Sequence, residues 1–273
     1  MTSSRLEISN LFQVEGKVAL VTGGSRGIGK MIATGFVKNG AKVYISSRST
    51  QDCEATASEL NKLGPGICVA LPADLQRFDE VERLAQELAT REQFLHVLVN
   101  NAGAVWGAPI DEFPDSGFTK VLTLNVQRVF SITQKVLPLL RAAAGQTKEG
   151  STYRDPARII NIGSVEGLWT APHNTFSYSA SKAALHHLSR HLAATLGSEG
   201  VVSNTIACGL FPTKMTAHTL MAEGDSLTES VPLRRPGRPE DIAGTALFLA
   251  SPAGAYVNGA LLALDGGLLV SRL

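Results

Sequence analysis

Tyr178-Ser179-Ala180-Ser181-Lys182 opens a stretch whose apolar residues recur at helical spacing. A tyrosine and a lysine four residues apart on a helix lie one turn apart on one face. The ammonium can then stabilise a tyrosinate and touch a bound sugar, which suits proton transfer at a carbonyl or alcohol oxygen. Taken alone, the pair equally describes a packed tyrosine beside a snorkelling lysine. Ser164 ends an apolar run upstream, where folding can bring a second hydroxyl beside the first.

A second constellation, Gly23-Gly24-Ser25-Arg26-Gly27-Ile28-Gly29, follows the β-branched run at 18–22 and opens a helical pattern. Glycines at 23, 27 and 29 allow close backbone approach and aim free N–H groups at a phosphate. Ser25, Arg26 and Ile28 complete the turn as expected cofactor contacts. The Gly-x3-Gly-x-Gly spacing is looser than the common dinucleotide pattern and lacks a P-loop's Lys-Ser/Thr ending, which argues against ATPase chemistry. The second strand ends in Ser46-Ser47-Arg48, with no acid for a ribose 2′-hydroxyl. Ser47 and Arg48, with Arg26, therefore favour a 2′-phosphate, hence NADP(H) over NAD; the alternative is solvent-facing guanidinium groups.

The elements that must position these groups alternate along the chain. Strands are expected at 18–22, 42–46, 67–70, 97–100, 158–163, 201–206 and 261–264. Helices are expected at 28–39, 52–63, 79–90, 177–196 and 239–249, with one long helix within 117–142. Continuous apolar strands separated by helices specify a mostly parallel seven-stranded sheet flanked by helices, a single-domain, doubly wound, Rossmann-like α/β fold. Residues 1–13 form an N-terminal arm and 14–273 the catalytic domain. Residues 145–156 form a polar insertion, and 212–232 a candidate substrate flap.

Composition narrows the classes further. A chain of 273 residues with 44% apolar residues can bury a substantial core, and its net charge of +1 removes the bulk argument for nucleic acid or an anionic membrane. Cys53, Cys68 and Cys208 form neither a disulfide framework nor a metal knuckle. His187 and His191 share a helical face without a third ligand and His186 points elsewhere, so no metal is expected. No apolar run is long enough to span a membrane, and the start lacks the pattern of a secretory signal. A soluble, intracellular, cytoplasmic protein is expected. Ser271-Arg272-Leu273 differs from a peroxisomal Ser-Lys-Leu address only in Arg for Lys, giving a peroxisomal alternative in a eukaryote.

With these motifs assembled, the chain resembles the short-chain dehydrogenase/reductase family over residues 14–267. The resemblance is carried by Thr22-Gly23-x3-Gly27-x-Gly29, Asn100-Asn101-Ala102-Gly103, Asn125, Ser164 and Tyr178-x3-Lys182. Within that family it looks most like bacterial β-ketoacyl reductases associated with rhamnolipid synthesis. The resemblance implies a catalytic group of Asn125, Ser164, Tyr178 and Lys182. In it, Asn125 holds a backbone kink and a relay water, and Lys182 binds the nicotinamide ribose and lowers the tyrosine pKa. It implies adenine contacts at Asp74 and Leu75, a cradle at Asn101, Ala102 and Gly103, and nicotinamide and phosphate contacts at Phe211 and Thr213. Cys208-Gly209 stands where the family commonly has Pro-Gly.

The implied reaction is NADPH-dependent reduction of an apolar β-ketoacyl or polyketide-like ketone to a secondary alcohol. Ser164, Trp106, Trp169 and Met215 are the expected substrate contacts, with Phe176, Phe211, Leu220 and Met221 completing an apolar enclosure. Arg141, Lys148, Arg154 and Arg158 either attract a phosphorylated carrier or form a solvated face. The alternatives are a sugar or polyol dehydrogenase, which needs a polar pocket, and a non-catalytic NADP-binding regulator. A homotetramer or homodimer acting on a small carbonyl or alcohol substrate, without nucleic-acid or membrane partners, completes the expectation.

Overall fold

Seven short apolar runs become the strands of one sheet in the computed structural model, which describes residues 6–216 and 228–271. The strands are β1 (Val18–Thr22), β2 (Lys42–Ser46), β3 (Ile67–Ala70), β4 (Val97–Asn100), β5 (Ala157–Ser164), β6 (Val201–Cys208) and β7 (Leu261–Leu264). Their order is β3-β2-β1-β4-β5-β6-β7, and every adjacent pair is parallel. Strands β1, β4, β5 and β6 are buried at every position, which is why they read as mostly apolar runs; the polar groups of Asn161 and Ser203 inside β5 and β6 are hydrogen-bonded to each other.

Helices α1 (Gly27–Lys38), α2 (Thr50–Leu60), α3 (Phe78–Arg91), α4 (Asp115–Leu122), α5 (Arg128–Gly145), α6 (Phe176–Leu196) and α7 (Pro239–Ala250) cover the two faces. One core layer joins Ile32 and Phe36 of α1 to Ala246 and Leu249 of α7 across Val21, Val99 and Ile160. The other joins Leu84 and Leu88 of α3 to Val136 and Leu140 of α5 across Leu20, Leu98 and Ile159. The expected long helix is instead broken: α4 and α5 are joined by a π-helical turn, Thr123–Gln127. Asn125 in that turn leaves the helix to bond the segment after β4, so side-chain hydrogen bonds override the periodicity. The insertion is a small hairpin, Lys148–Glu149 with Thr152–Tyr153.

The amino ends of the strands are tied by buried charge. Arg158, at the start of β5, is 1% exposed and donates to Asp155 Oδ1 (2.6 Å) and to the carbonyls of Leu249 and Ser251. Lys17 donates to Asp155 Oδ2 (2.6 Å) and to Ala250 O. Two cations thus meet the last carbonyls of α7, where the helix dipole is negative, and share one carboxylate. Burial alone would raise the Asp155 pKa; Lys17 and Arg158 outweigh it and hold the carboxyl below its ordinary value.

The four basic residues considered as a carrier patch are therefore not one: Arg158 is internal, Arg141 bonds Glu199, Arg154 bonds Glu149 and Lys148 lies over the Tyr153 ring. Replacing Asp155 with Ala leaves the Arg158 guanidinium buried without its counter-charge. Urea unfolding should show a loss of about 3 kcal/mol, against under about 0.5 kcal/mol for Arg154→Ala on the surface. Because the folded Asp155 pKa is depressed, its stabilisation is present above the unfolded carboxyl range. It is lost as pH falls through the folded value.

Candidate active site

Parallel strands bring all their carboxyl ends to one edge, and there a cleft of about 800 Å³ runs across the sheet. Its walls come from the glycine turn after β1, the end of β2, the loops after β3 and β4, and the last residues of β5 and β6. Ser164 ends β5 and Cys208 ends β6, directly paired in register. Helix α6 brings Tyr178 and Lys182 to the same end of the cleft.

Lys182 is buried, and its Nζ donates to Ile162 O at 2.7 Å. The ammonium lies 5.5 Å from the centre of the Tyr178 ring, as expected for neighbours one turn apart. Ser164 Oγ accepts from the N–H of Glu166 (3.2 Å) and lies near enough to the Tyr178 side chain to favour its ionised form. Burial pulls the Lys182 pKa down to about 8. Burial pushes that of Tyr178 up, the Glu166 carboxylate adds to the rise, and the Ser164 hydrogen bond opposes it. Lys182 is not among the groups acting on the Tyr178 phenol in the protein alone, where burial sets the direction of its shift.

At the other end, Gly23 and Gly27 adopt φ of +64° and +53°, open to glycine. A Cβ on Gly23 would lie 2.7 Å from Asn101 Nδ2, and one on Gly27 would lie 3.3 Å from Thr213 Cγ2, so side chains there would fill the groove. Helix α1 starts at Gly27 with no side-chain cap and no acid in its first turn, leaving its N–H groups for an anion. Asn101 donates to the carbonyls of Thr22 and Gly23, bracing the turn against the end of β4. Ser25, Arg26, Ile28, Ser47 and Arg48 line this end, and among the described residues neither arginine forms an ion pair. Asp74, Leu75, Ala102, Gly103, Phe211, Thr213 and Met215 also line the cleft, as expected. These features fit a dinucleotide carrying an additional phosphate.

Four expected contacts lie elsewhere. Gly29 faces inward, where a Cβ would come within 2.5 Å of Asn101 Nδ2; it serves close packing of α1 on the turn. Asn125 is 1% exposed and does not reach the cleft. Its Oδ1 accepts from Ala104 N, while its Nδ2 donates to Ala104 O and Ser181 Oγ, so both its amide hydrogens are committed. These bonds hold the kink. Trp106 is drawn onto the bare backbone of Gly117, beneath the Lys120 ammonium, and Trp169 lies in the turn bonded to Val165 O; neither lines the cleft. Phe176 packs edge-on against Phe113. Leu220, Met221, the middle of the flap and the last two residues of the tail lie outside the described residues.

Three groups escaped the sequence reading. Gln76 and Lys214 line the cleft without belonging to any motif. His186, one turn beyond Lys182, is buried and its Nε2 accepts the Ser164 N–H at 3.4 Å. The imidazole fills a slot left by Gly163 and Gly167, on which any side chain would collide with it. Burial, aided by the charge of Lys182, pulls its pKa down to about 4, so it stays an acceptor at neutral pH. The glycines either side of Ser164 were the available signal. Cys208 lines the cleft, but burial pushes its thiol up to about 12, which removes it as a nucleophile. All three cysteines are buried and free, and the described residues contain no metal-binding cluster.

An acid able to protonate a carbonyl oxygen, set at the end of a groove shaped for a dinucleotide, defines an oxidoreductase. Comparison with known proteins agrees. Residues 23–269 match the family model described as enoyl-(acyl carrier protein) reductase. The chain is 46% identical over 260 residues to the rhamnolipids biosynthesis 3-oxoacyl-[acyl-carrier-protein] reductase of Pseudomonas aeruginosa, covering 94% of this chain and 97% of that protein. It superposes on the Pseudomonas aeruginosa RhlG/NADP active-site complex with a TM-score of 0.88 at 45% identity, covering 94% and 98%. It is also 32% identical to the 5-keto-D-gluconate 5-reductase of Escherichia coli K12, covering 97% and 100%. The chain belongs to the short-chain dehydrogenase/reductase family.

The His186 contact makes a separate prediction. His186→Leu keeps the volume but removes the acceptor of the Ser164 N–H, so steady-state kcat should fall roughly tenfold while the cofactor Kd stays unchanged. His186→Gln, which restores an acceptor, should recover part of the loss.

Proposed function

We propose that this enzyme reduces a ketone to a secondary alcohol with NADPH, and that the ketone is an apolar β-ketoacyl or polyketide-like compound. The observation that carries the reading is the pairing of a Ser164–Tyr178–Lys182 group at one end of the cleft with two unpaired arginines, Arg26 and Arg48, at the other. NADPH, when bound, supplies the hydride that reaches the carbonyl carbon. Arg26 and Arg48 would hold the 2′-phosphate, and the uncapped start of α1 would receive the pyrophosphate. Ser164 and Tyr178 bind the carbonyl oxygen, Tyr178 gives it a proton as negative charge develops, and Lys182 orients the sugar and stabilises the phenolate left behind. The carbonyl π bond is replaced by one C–H and one O–H bond.

Val105, Leu124, Cys208 and Met215 are apolar residues of the cleft lining, and they favour an apolar ketone. A sugar or sugar-acid reductase is the second reading, supported by the similarity to the 5-keto-D-gluconate 5-reductase. A non-catalytic regulator is disfavoured by the complete proton-donating group. A dimer or tetramer built on α5 and α6 belongs to the same proposal, with the exposed Phe130 of α5 in its support. So does a cytoplasmic location, with the peroxisome as the alternative if the chain is eukaryotic; among the described residues no helix is long and apolar enough to cross a membrane.

Two variants test the two ends of the cleft. Tyr178→Phe should cut turnover of a β-ketoacyl ester by roughly 1,000-fold while NADPH still binds, as read by fluorescence titration. Retained turnover would overturn the assignment. Arg48→Asp should weaken NADPH relative to NADH by roughly 100-fold, measured as the ratio of kcat/KM for the two cofactors.

A further inference from the structure

We propose that Glu166 is a positioning residue: through two hydrogen bonds accepted by one carboxylate oxygen, it sets the first turn of α6, and with it Tyr178, against Ser164. This role rests on the ketoreductase reading above and adds to it a residue that acts only through its neighbours.

Glu166 lies in the single turn Val165–Gly167 that follows β5, and its backbone N–H donates to Ser164 Oγ at 3.2 Å. With one lone pair so occupied, the serine hydroxyl keeps its proton for a substrate oxygen. The side chain reaches the other way. Its Oε2 accepts from Thr175 Oγ1 at 2.8 Å and from Ser179 Oγ at 3.1 Å. These two donors stand on either side of Tyr178, one just before α6 and one in its first turn. Thr175 occupies the N-cap position, where a threonine hydroxyl ordinarily accepts from a free N–H of the first turn. Here it makes no such bond, and the first turn of α6 contains no acid. Glu166 supplies from outside the helix the restraint that the cap leaves out.

One residue therefore touches both groups that would meet the carbonyl oxygen, with its main chain on Ser164 and its side chain around Tyr178. The same bonds close the segment 166–175 on itself, and Asn174 O, within it, accepts from Ala108 N and ties it to the loop after β4. A displacement of about 1 Å between reacting groups is enough to cost a large factor in rate. The carboxylate also acts by charge, on the Lys182 ammonium as well as on the phenol. Reach and charge separate by substitution. Glutamine keeps the reach and an acceptor oxygen without the charge, whereas aspartate keeps the charge but is one methylene too short to span both hydroxyls.

Steady-state reduction of ethyl 3-oxohexanoate, with NADPH affinity read separately by fluorescence titration, tests this role in Glu166→Gln, Glu166→Asp, Glu166→Ala and the double variant Thr175→Val/Ser179→Ala. Glu166→Gln should keep kcat within about threefold of the wild type, while Asp, Ala and the double variant each lower it roughly tenfold. The Kd for NADPH should stay unchanged in all four. Adding Glu166→Ala to the double variant should cost little more, because its partners are already gone. A glutamine variant impaired as much as the aspartate variant gives the role to charge or to packing, and overturns the proposal. So does an alanine variant with wild-type kcat, or a loss of NADPH binding that accompanies every loss of turnover. Should Glu166→Ala fail to fold, the contrast between Gln and Asp decides. A wild type that does not reduce the ester overturns the ketoreductase reading and this role together, whereas the other failures leave that reading standing.

Discussion

The site depends on burying one ammonium group. Taking Lys182 out of water costs several kcal/mol unless the charge finds partners, and the partner among the described protein atoms is the carbonyl of Ile162 at 2.7 Å. That bond requires α6 to lie almost on the end of β5. The approach is possible because Gly163 and Gly167 lack side chains; a Cβ on Gly167 would sit 2.7 Å from the main chain of Lys182. Ser181, next to the lysine, accepts from Asn125 and so ties α6 to the π-helical turn and to the loop after β4. Lysine, glycines and asparagine answer one packing problem.

The sheet supplies what that contact cannot. Since all seven strands run the same way, the loop after β4, the end of β5 and the start of α1 open on one edge, and a single elongated ligand can touch them all. Along that edge lie Arg26 and Arg48, which form no ion pair among the described residues, and the Ser164, Tyr178 and Lys182 group. At the opposite edge Lys17, Asp155 and Arg158 neutralise one another and the end of α7. One edge is electrostatically finished and the other is left open for a ligand.

Much of this was readable in advance. The runs at 18–22, 42–46 and 261–264 match their strands residue for residue, because each is a short, largely apolar run bounded by turn residues. The glycine turn and the Tyr178–Lys182 pair were legible because each combines residue type with fixed spacing. What failed to read was long-range. The π-helical turn keeps an apolar stripe much like that of an α-helix, so only the bonds of Asn125 to a loop 21 residues away reveal it. Arg158 looked like one of several surface cations, and its burial depends on Asp155 and on carbonyls more than ninety residues distant. Trp106 and Trp169 were assigned by size, yet a nearby bare glycine and a local turn claim them. Glu166 and His186 belong to no motif, since each acts through the main chain or side chain of a neighbour.

The hook between His186 and the backbone of Ser164 has a consequence for how the enzyme could diversify. It fastens the strand that carries the serine to the helix that carries the tyrosine and lysine, alongside the bond from Lys182 to Ile162. Met215, which also lines the cleft, sits on a separate segment that takes no part in that fastening. The chemistry is therefore modular with respect to recognition: segments that choose the ketone can drift, lengthen or be exchanged while the proton-donating unit keeps its geometry.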